Sequence, residues 1–263
     1  MQNRPHTYLF WIQYLGFRYH GWQKQPNLKT IQGRLERVIR YVLGHDNFSI
    51  LAAGRTDSGV SCENGAFELF NIDPIIIGAF IEEVNISLPD DIRLLSGQVV
   101  SSKFNIIQDV QSKEYRYYFT HGEKPHAFVA GNMAWVHGTL DIGLIEKAVD
   151  AFIGEHDFRR FCSKNKNTDN YVRKISEAEI IVVDPVFGNL YPEKVYCFRV
   201  KGTGFLMHQV RMMVGALFLI GQGKLTREDI KEALVSPDHL PLAGKAPAHG
   251  LVLNNIWFDE NRL

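Results

Sequence analysis

Ile50-Leu51-Ala52-Ala53-Gly54-Arg55-Thr56-Asp57-Ser58-Gly59, with Gly65-Ala66-Phe67-Glu68-Leu69-Phe70 shortly after it, reads as a strand, a tight loop and a second strand. Apolar runs bounded by Gly and Ser are strand signals, and Asp-Ser-Gly is ordinary turn chemistry. The loop therefore sets a carboxylate, Asp57, and a guanidinium, Arg55, at a strand end, where a folded scaffold usually displays its reactive groups. On spacing alone the same residues describe first an Asx-type turn, with Asp57 capping the loop backbone and Arg55 a solvated charge.

Working outward, the alternation over 7–14 predicts a first strand. After a loop, Ile31, Leu35, Val38, Ile39, Val42 and Leu43 recur at helical spacing, and Gly44 supplies a stop. The other face of this helix carries Arg34, Arg37 and Arg40, a row that reads as solvated surface or as an RNA contact. Helices are expected over 75–84 and 141–152, the latter with Ile145, Ala148, Val149 and Phe152 inward. A strand over 114–120 places Tyr115, Tyr117 and Phe119 on one side and Arg116 and Tyr118 on the other. The pattern predicts an α+β protein in two halves, 1–105 and 106–263, dividing somewhere in 101–112.

Composition sets the class. The 263 residues, 45% hydrophobic and 12% aromatic, are enough for a sizeable core. Twenty-nine basic residues balance twenty-nine acidic ones, which excludes the bulk cationic field of a nonspecific nucleic-acid binder and leaves room only for local basic patches. Cys62, Cys162 and Cys197 are odd in number and widely spaced, so neither a zinc site nor a disulfide framework is expected, and a reducing cytoplasm is. Met1-Gln2-Asn3-Arg4-Pro5-His6 has no apolar leader core, and no run approaches the roughly 18 apolar residues of a membrane span, so a chain neither exported nor embedded is expected.

The run from Phe205 to Ile220, ended by Gly221, is apolar nearly all round and predicts a buried helix. Arg211 inside it needs a carboxylate or phosphate partner, because an isolated buried guanidinium costs several kcal/mol. A fold-fixing salt bridge and a pairing with a catalytic carboxylate both satisfy that need. His208 reads as a hydrogen-bonded core histidine and Met207, Met212 and Met213 as core filling.

Gly54-Arg55-Thr56-Asp57-Ser58-Gly59-Val60 resembles the Gly-Arg-Thr-Asp-x-Gly-Val motif of the tRNA pseudouridine synthase A family, and six further segments, one before it and five after, occur in family order. Tyr19-His20-Gly21-Trp22-Gln23-Lys24-Gln25 is similar to its N-terminal stretch, and Asn85-Ile86-Ser87-Leu88-Pro89-Asp90-Asp91-Ile92 to its Asn-x-x-Leu-Pro-x-Asp-Ile segment. Tyr115-Arg116-Tyr117, Gly154-Glu155-His156-Asp157-Phe158, the Gly204-Phe205-Leu206 and Val210 to Gly215 stretches, and Ala246-Pro247-Ala248-His249-Gly250-Leu251 complete the set. Two departures stand out: Leu15 where many members carry Asp, and Phe104-Asn105-Ile106-Ile107 where Phe-x-Ala-Arg is usual, which removes an arginine.

The resemblance implies the two-half pseudouridine synthase fold with a mostly antiparallel sheet, a homodimer, and a tRNA substrate modified in the anticodon arm, positions 38 to 40. It implies Asp57 as nucleophile, at C1′ or at uracil C6, with Arg211 or Arg55 keeping it ionised. Tyr115 and the start of the Phe205 segment would line the pocket for a flipped uridine. Arg34, Arg37, Arg159, Arg160, Lys164, Lys166 and Arg173 are the candidate phosphate contacts. No cofactor and no metal are expected, since the isomerisation is redox-neutral and non-hydrolytic. Two other readings are an inactive RNA-binding module of the same fold and a glycosidase-like hydrolase with Glu63 or Glu68 as acid.

Overall fold

The computed structural model describes residues 4–164, 169–183, 192 and 194–263. In chain order the elements are β1 (His6–Tyr14), α1 (Ile31–Leu43), β2 (Phe48–Ala52), β3 (Ser61–Asn71), α2 (Ile77–Ser87), β4 (Ile92–Val99), β5 (Val110–Gly122), β6 (Ala134–His137), α3 (Ile142–Val149), β7 (Gly154–Asp157), β8 (Val172–Val183), β9 (Val195–Gly202), α4 (Gln209–Gly221), α5 (Arg227–Val235) and β10 (Leu251–Phe258). The chain forms two compact units, Met1–Ser112 with Leu253–Leu263, and Lys113–Val252.

In the first unit the strands lie in the order β4-β1-β3-β10, with β2 also on β3. The β1–β3, β1–β4 and β2–β3 ladders are antiparallel, and Phe10 faces Phe67 in register. Those two rings stack at 5.5 Å, and Phe80 of α2 meets Phe10 at 5.2 Å. Ile31, Leu35 and Ile39 of α1 are fully buried, as the helical spacing predicts, and Gly44 ends the helix at φ 73°. Side chains alternate along a strand, so Glu68 points away from Phe67. On this first unit Phe104 packs edge-on against Phe258 at 5.5 Å.

In the second unit β5, β9, β8 and β7 are joined antiparallel, while β6 runs parallel to β5. Tyr117 and Phe119 turn one face of β5 toward Phe218 of α4, at 6.0 and 5.0 Å between ring centres, as the alternation of this strand predicts. The other face carries buried Glu114, held by Arg116 at 3.0 Å and Arg199 at 2.8 Å, with Arg199 also bonded to Glu177 and Glu179. A carboxylate buried this deeply is tolerable only because it is paired and hydrogen-bonded.

Four helices differ from the sequence reading, one of them α3, which runs over Ile142–Val149 rather than 141–152, with Asp141 capping it and Asp150–Phe152 a tighter 3-10 turn. The second runs over Ile77–Ser87 rather than 75–84, because the Asn85 amide grips Leu94 through both its oxygen and its nitrogen, at 2.8 and 2.9 Å, and carries the helix forward. Leu88 is extended, as a residue before proline must be. The apolar run from Phe205 becomes helical only at Gln209, since His208 adopts the left-handed conformation at φ 65° and breaks it. Gly221 lies inside that helix and the left-handed turn falls on Gly223. Helix α5 went unforeseen, although Thr226 and Asp229 close a reciprocal capping box in front of it.

Candidate active site

The Asp57 loop is built on the backbone of a segment some 35 residues earlier in the chain. Gly59 donates its N–H to the Tyr19 carbonyl at 3.0 Å, Ser58 donates its hydroxyl to the same oxygen at 3.3 Å, and Trp22 donates its N–H to the Thr56 carbonyl at 3.0 Å. Gly21 has φ 84°, and a Cβ there would lie 2.6 Å from the Thr56 carbonyl oxygen. Gly16 approaches the Val60 carbonyl so closely that any side chain would overlap it. These two glycines are therefore contact requirements, which explains why Gly21-Trp22 and the Asp57 loop occur as a pair. Thr56 is buried, and its hydroxyl lies 2.8 Å from that of Tyr14.

The turn is closed by main chain: Val60 donates its N–H to the Asp57 carbonyl at 3.1 Å, with Gly59 at φ 81°. The closing bond uses the backbone of Asp57, whose side chain is half-buried. Arg55 is exposed. The Leu88 to Asp91 segment joins the same construction, because Tyr19 donates its hydroxyl to Asp91 at 2.6 Å and Leu15 donates its N–H to the Asp91 carbonyl at 3.0 Å. Burial and then the Asp91 bond push the Tyr19 phenol well above its ordinary range. Two other sequence segments, 14–22 and 88–91, thus join the Asp57 turn in one construction.

The second unit brings together three more. Arg211 is half-buried rather than buried, and its Nε donates to the Ala246 carbonyl at 2.8 Å. The expectation that it is enclosed in an all-apolar helix is corrected by its stripe: residues 211, 215 and 219, spaced one turn apart, are the half-buried face of α4. Ala246 returns its N–H to the Arg211 carbonyl at 3.0 Å, and the Tyr117 hydroxyl donates to the Pro247 carbonyl at 2.8 Å. Burial, then the charge of Arg211, hold His249 below the usual imidazole range. Tyr115 is buried and its ring meets Phe205 edge-on at 5.0 Å. Phe205 does not open a helix; it sits in the turn before α4, shaped by the Gln209 side chain accepting from the Leu206 N–H at 2.8 Å.

Among the proposed phosphate contacts the structure separates two groups. Arg159 is committed to Asp157 and to the Pro237 carbonyl, Arg160 to the Leu240 carbonyl, and Arg173 to the Asn170 and Val172 carbonyls. Arg34 is half-buried and Arg37 and Lys164 exposed, none with a side-chain hydrogen bond or ion pair among the described residues; Lys166 lies outside the described residues. Of the carboxylates considered for a hydrolase, Glu63 is exposed and accepts from Gln13, while Glu68 is fully buried and accepts from the Ile106 N–H. His208 is bonded through Nδ1 to the Ser163 hydroxyl at 2.6 Å. Sequence reasoning missed Tyr14, Tyr19 and Tyr117 as fasteners. Their signal was a tyrosine inside an apolar stretch, whose buried hydroxyl needs a partner. Among the described residues no group of His, Cys, Asp and Glu is arranged to hold a metal, and no helix is long and apolar enough to cross a membrane.

Two mixed α/β units on mostly antiparallel ladders, with residues 148–259 matching the family model described as tRNA pseudouridine synthase, give this chain the α+β pseudouridine synthase fold and place it among isomerases. It is 35% identical to a tRNA pseudouridine synthase A of Exiguobacterium sibiricum, over 95% of this chain and 96% of the relative. The corresponding figures are 32%, 94% and 97% for a tRNA pseudouridine synthase A of Acetivibrio thermocellus, and 31%, 96% and 91% for one of Staphylococcus aureus. The chain belongs to the tRNA pseudouridine synthase A family.

Proposed function

We propose that the protein converts uridine to pseudouridine in the anticodon arm of tRNA, at positions 38 to 40, with Asp57 as its nucleophile. The observation that carries the reading is the Asp57 turn itself. Its backbone is bonded to the Tyr19 to Trp22 segment, which Asp91 holds in turn, so the fold presents the half-buried Asp57 on a fixed turn at a strand end. The C1′–N1 bond breaks, the uracil turns over, a C1′–C5 bond forms, the C5 proton is lost and N1 takes one up. Asp57 must be ionised to add to C1′ or to C6, and Arg211 is the cation that keeps it so. No electron acceptor or donor enters this balance, so none is required as cofactor.

Tyr115, buried against Phe205, is the ring on which the extruded uracil lies, and its hydroxyl assists removal of the C5 proton. Arg55 supports the charge balance at the turn, and Arg34 and Arg37 take phosphates. The setting is a cytoplasmic homodimer. The test is tritium release from tRNA carrying C5-tritiated uridine, with the modified positions mapped afterwards. Release from positions 38 to 40 supports the reading; release from other positions leaves the chemistry and overturns the site; no release overturns both.

A further inference from the structure

Among the described residues two that are not glycine have a left-handed backbone, Asn27 and His208, and His208 stands between the candidate site groups Phe205 and Arg211. The turn from Leu206 to Gln209 is closed by the Gln209 N–H on the Leu206 carbonyl at 3.1 Å, with His208 as its third residue at φ 65° and ψ 5°. Glycine or asparagine usually fills such a position, because a Cβ there crowds the backbone. A larger residue stays left-handed only where its surroundings hold it, and such positions gather at functional sites.

The group that holds it lies 45 residues earlier in the chain. The Ser163 hydroxyl is 2.6 Å from His208 Nδ1, and Ser163 donates its N–H to the Met207 carbonyl at 3.1 Å, so one residue grips the turn twice. Ser163 is itself anchored: Phe161 and Cys162 before it are buried, and the Arg160 carbonyl accepts from the Leu242 N–H at 3.2 Å. Glycine at 208 would satisfy the backbone and leave the Ser163 hydroxyl without this bond. The imidazole therefore has a use that the turn's geometry alone does not explain.

That use follows from what the turn sets. Helix α4 starts at Gln209, the Met212 N–H donates to the His208 carbonyl at 3.0 Å, and Arg211 lies in the first turn. In a helix running unbroken from Phe205, the 205 and 211 side chains would point about 120° apart around one axis. The left-handed residue frees the two from that constraint. Phe205 meets Tyr115 of β5 edge-on at 5.0 Å, while Arg211 and Tyr117 of the same strand hold neighbouring carbonyls, those of Ala246 and Pro247, at 2.8 Å each.

We propose that His208 is a positioning residue for Arg211: bonded to Ser163, it holds the left-handed turn that fixes where α4 starts and so where the guanidinium points. The proposal rests on the reading that gives Arg211 a part in the isomerisation.

The experiment measures kcat and KM for tritium release from tRNA by the wild-type protein, Ser163→Ala, His208→Gly, His208→Asn and the double variant Ser163→Ala/His208→Gly, each well below its unfolding midpoint. Wild-type release, and its loss in Arg211→Met, test the underlying reading separately. Ser163→Ala removes one hydroxyl, and His208→Gly removes the ring while keeping left-handed freedom. Each is expected to lower kcat about tenfold with KM for tRNA within about twofold, the signature of a misaimed group rather than of lost binding. The double variant should fall no further than either single one, because both remove the same bond. His208→Asn tolerates the left-handed conformation and puts an amide atom where Nδ1 stands, so it should restore kcat to within about twofold of wild type. Wild-type kcat in Ser163→Ala and His208→Gly, with only the unfolding midpoint lowered, makes the pair a fastener of the fold and overturns the proposal. A kcat in His208→Asn as low as in His208→Gly overturns it too, since the imidazole itself would then be required.

Discussion

The Thr56 and Tyr14 hydroxyls lie 2.8 Å apart in the buried base of the Asp57 turn, joining the last residue of β1 to the residue before the proposed nucleophile. Tyr14→Phe would leave the Thr56 hydroxyl without this partner inside the first unit. The expected cost is about 1–2 kcal/mol, read from urea unfolding, with kcat falling as the turn loosens. In the double variant Tyr14→Phe/Thr56→Val the two losses should not add, because both remove one interaction.

Asp57→Asn separates chemistry from architecture. Because the turn is closed by the Asp57 carbonyl, the amide should fold with a melting temperature close to wild type. Tritium release should drop to background while tRNA still binds, since an amide forms no covalent adduct. Appreciable turnover, once deamidation is excluded by mass spectrometry, would remove Asp57 from the mechanism.

Arg211 has a structural duty as well as its proposed catalytic one, and the two are separable. Arg211→Met loses the bond to the Ala246 carbonyl, worth about 1 kcal/mol, and fits the apolar helix otherwise. Its kcat is expected to fall by more than about tenfold, beyond what that loss of stability explains. Full activity in this variant would mean that another group keeps Asp57 ionised.

Glu68 makes stability depend on pH. Burial, with a smaller contribution from Asp109, lifts its carboxyl from 4.5 to about 7, against the pull of the Ile106 N–H. Between those values the native state holds a proton that the unfolded chain has released, so stability falls as pH rises through this window and levels off above it. The change amounts to about 3 kcal/mol at most. Urea midpoints from pH 5 to 8 should show this slope in the wild type and lose it in Glu68→Gln.

Charge reversal at Arg34 and Arg37 should weaken tRNA binding and flatten its salt dependence, because both are without ion pairs among the described residues. The same reversal at Arg159 should instead lower stability, since that side chain bonds Asp157 and the Pro237 carbonyl. Affinity unchanged by the Arg34 and Arg37 pair would make the α1 row ordinary solvated surface.

What the sequence by itself determined was whatever depends on neighbours along the chain. The apolar spacing of α1 and its stop at Gly44, the inward side of Tyr115, Tyr117 and Phe119, and the inward face of Ile145, Ala148, Val149 and Phe152 follow from periods of 3.6 and 2 residues. The family, too, was legible in short motifs read in order. Only the tertiary structure decided what those motifs are for locally: that Gly16 and Gly21 admit the backbone of the Asp57 turn, that Tyr117 and Arg211 hold carbonyls of one C-terminal segment, and that Arg159, Arg160 and Arg173 are bonded to their own chain. It also started α4 at Gln209, where the sequence reading runs the helix from Phe205. The physical reason is common to all of these: close approach, hydrogen-bond partnership and burial are relations between residues far apart in the chain, and no local period encodes them.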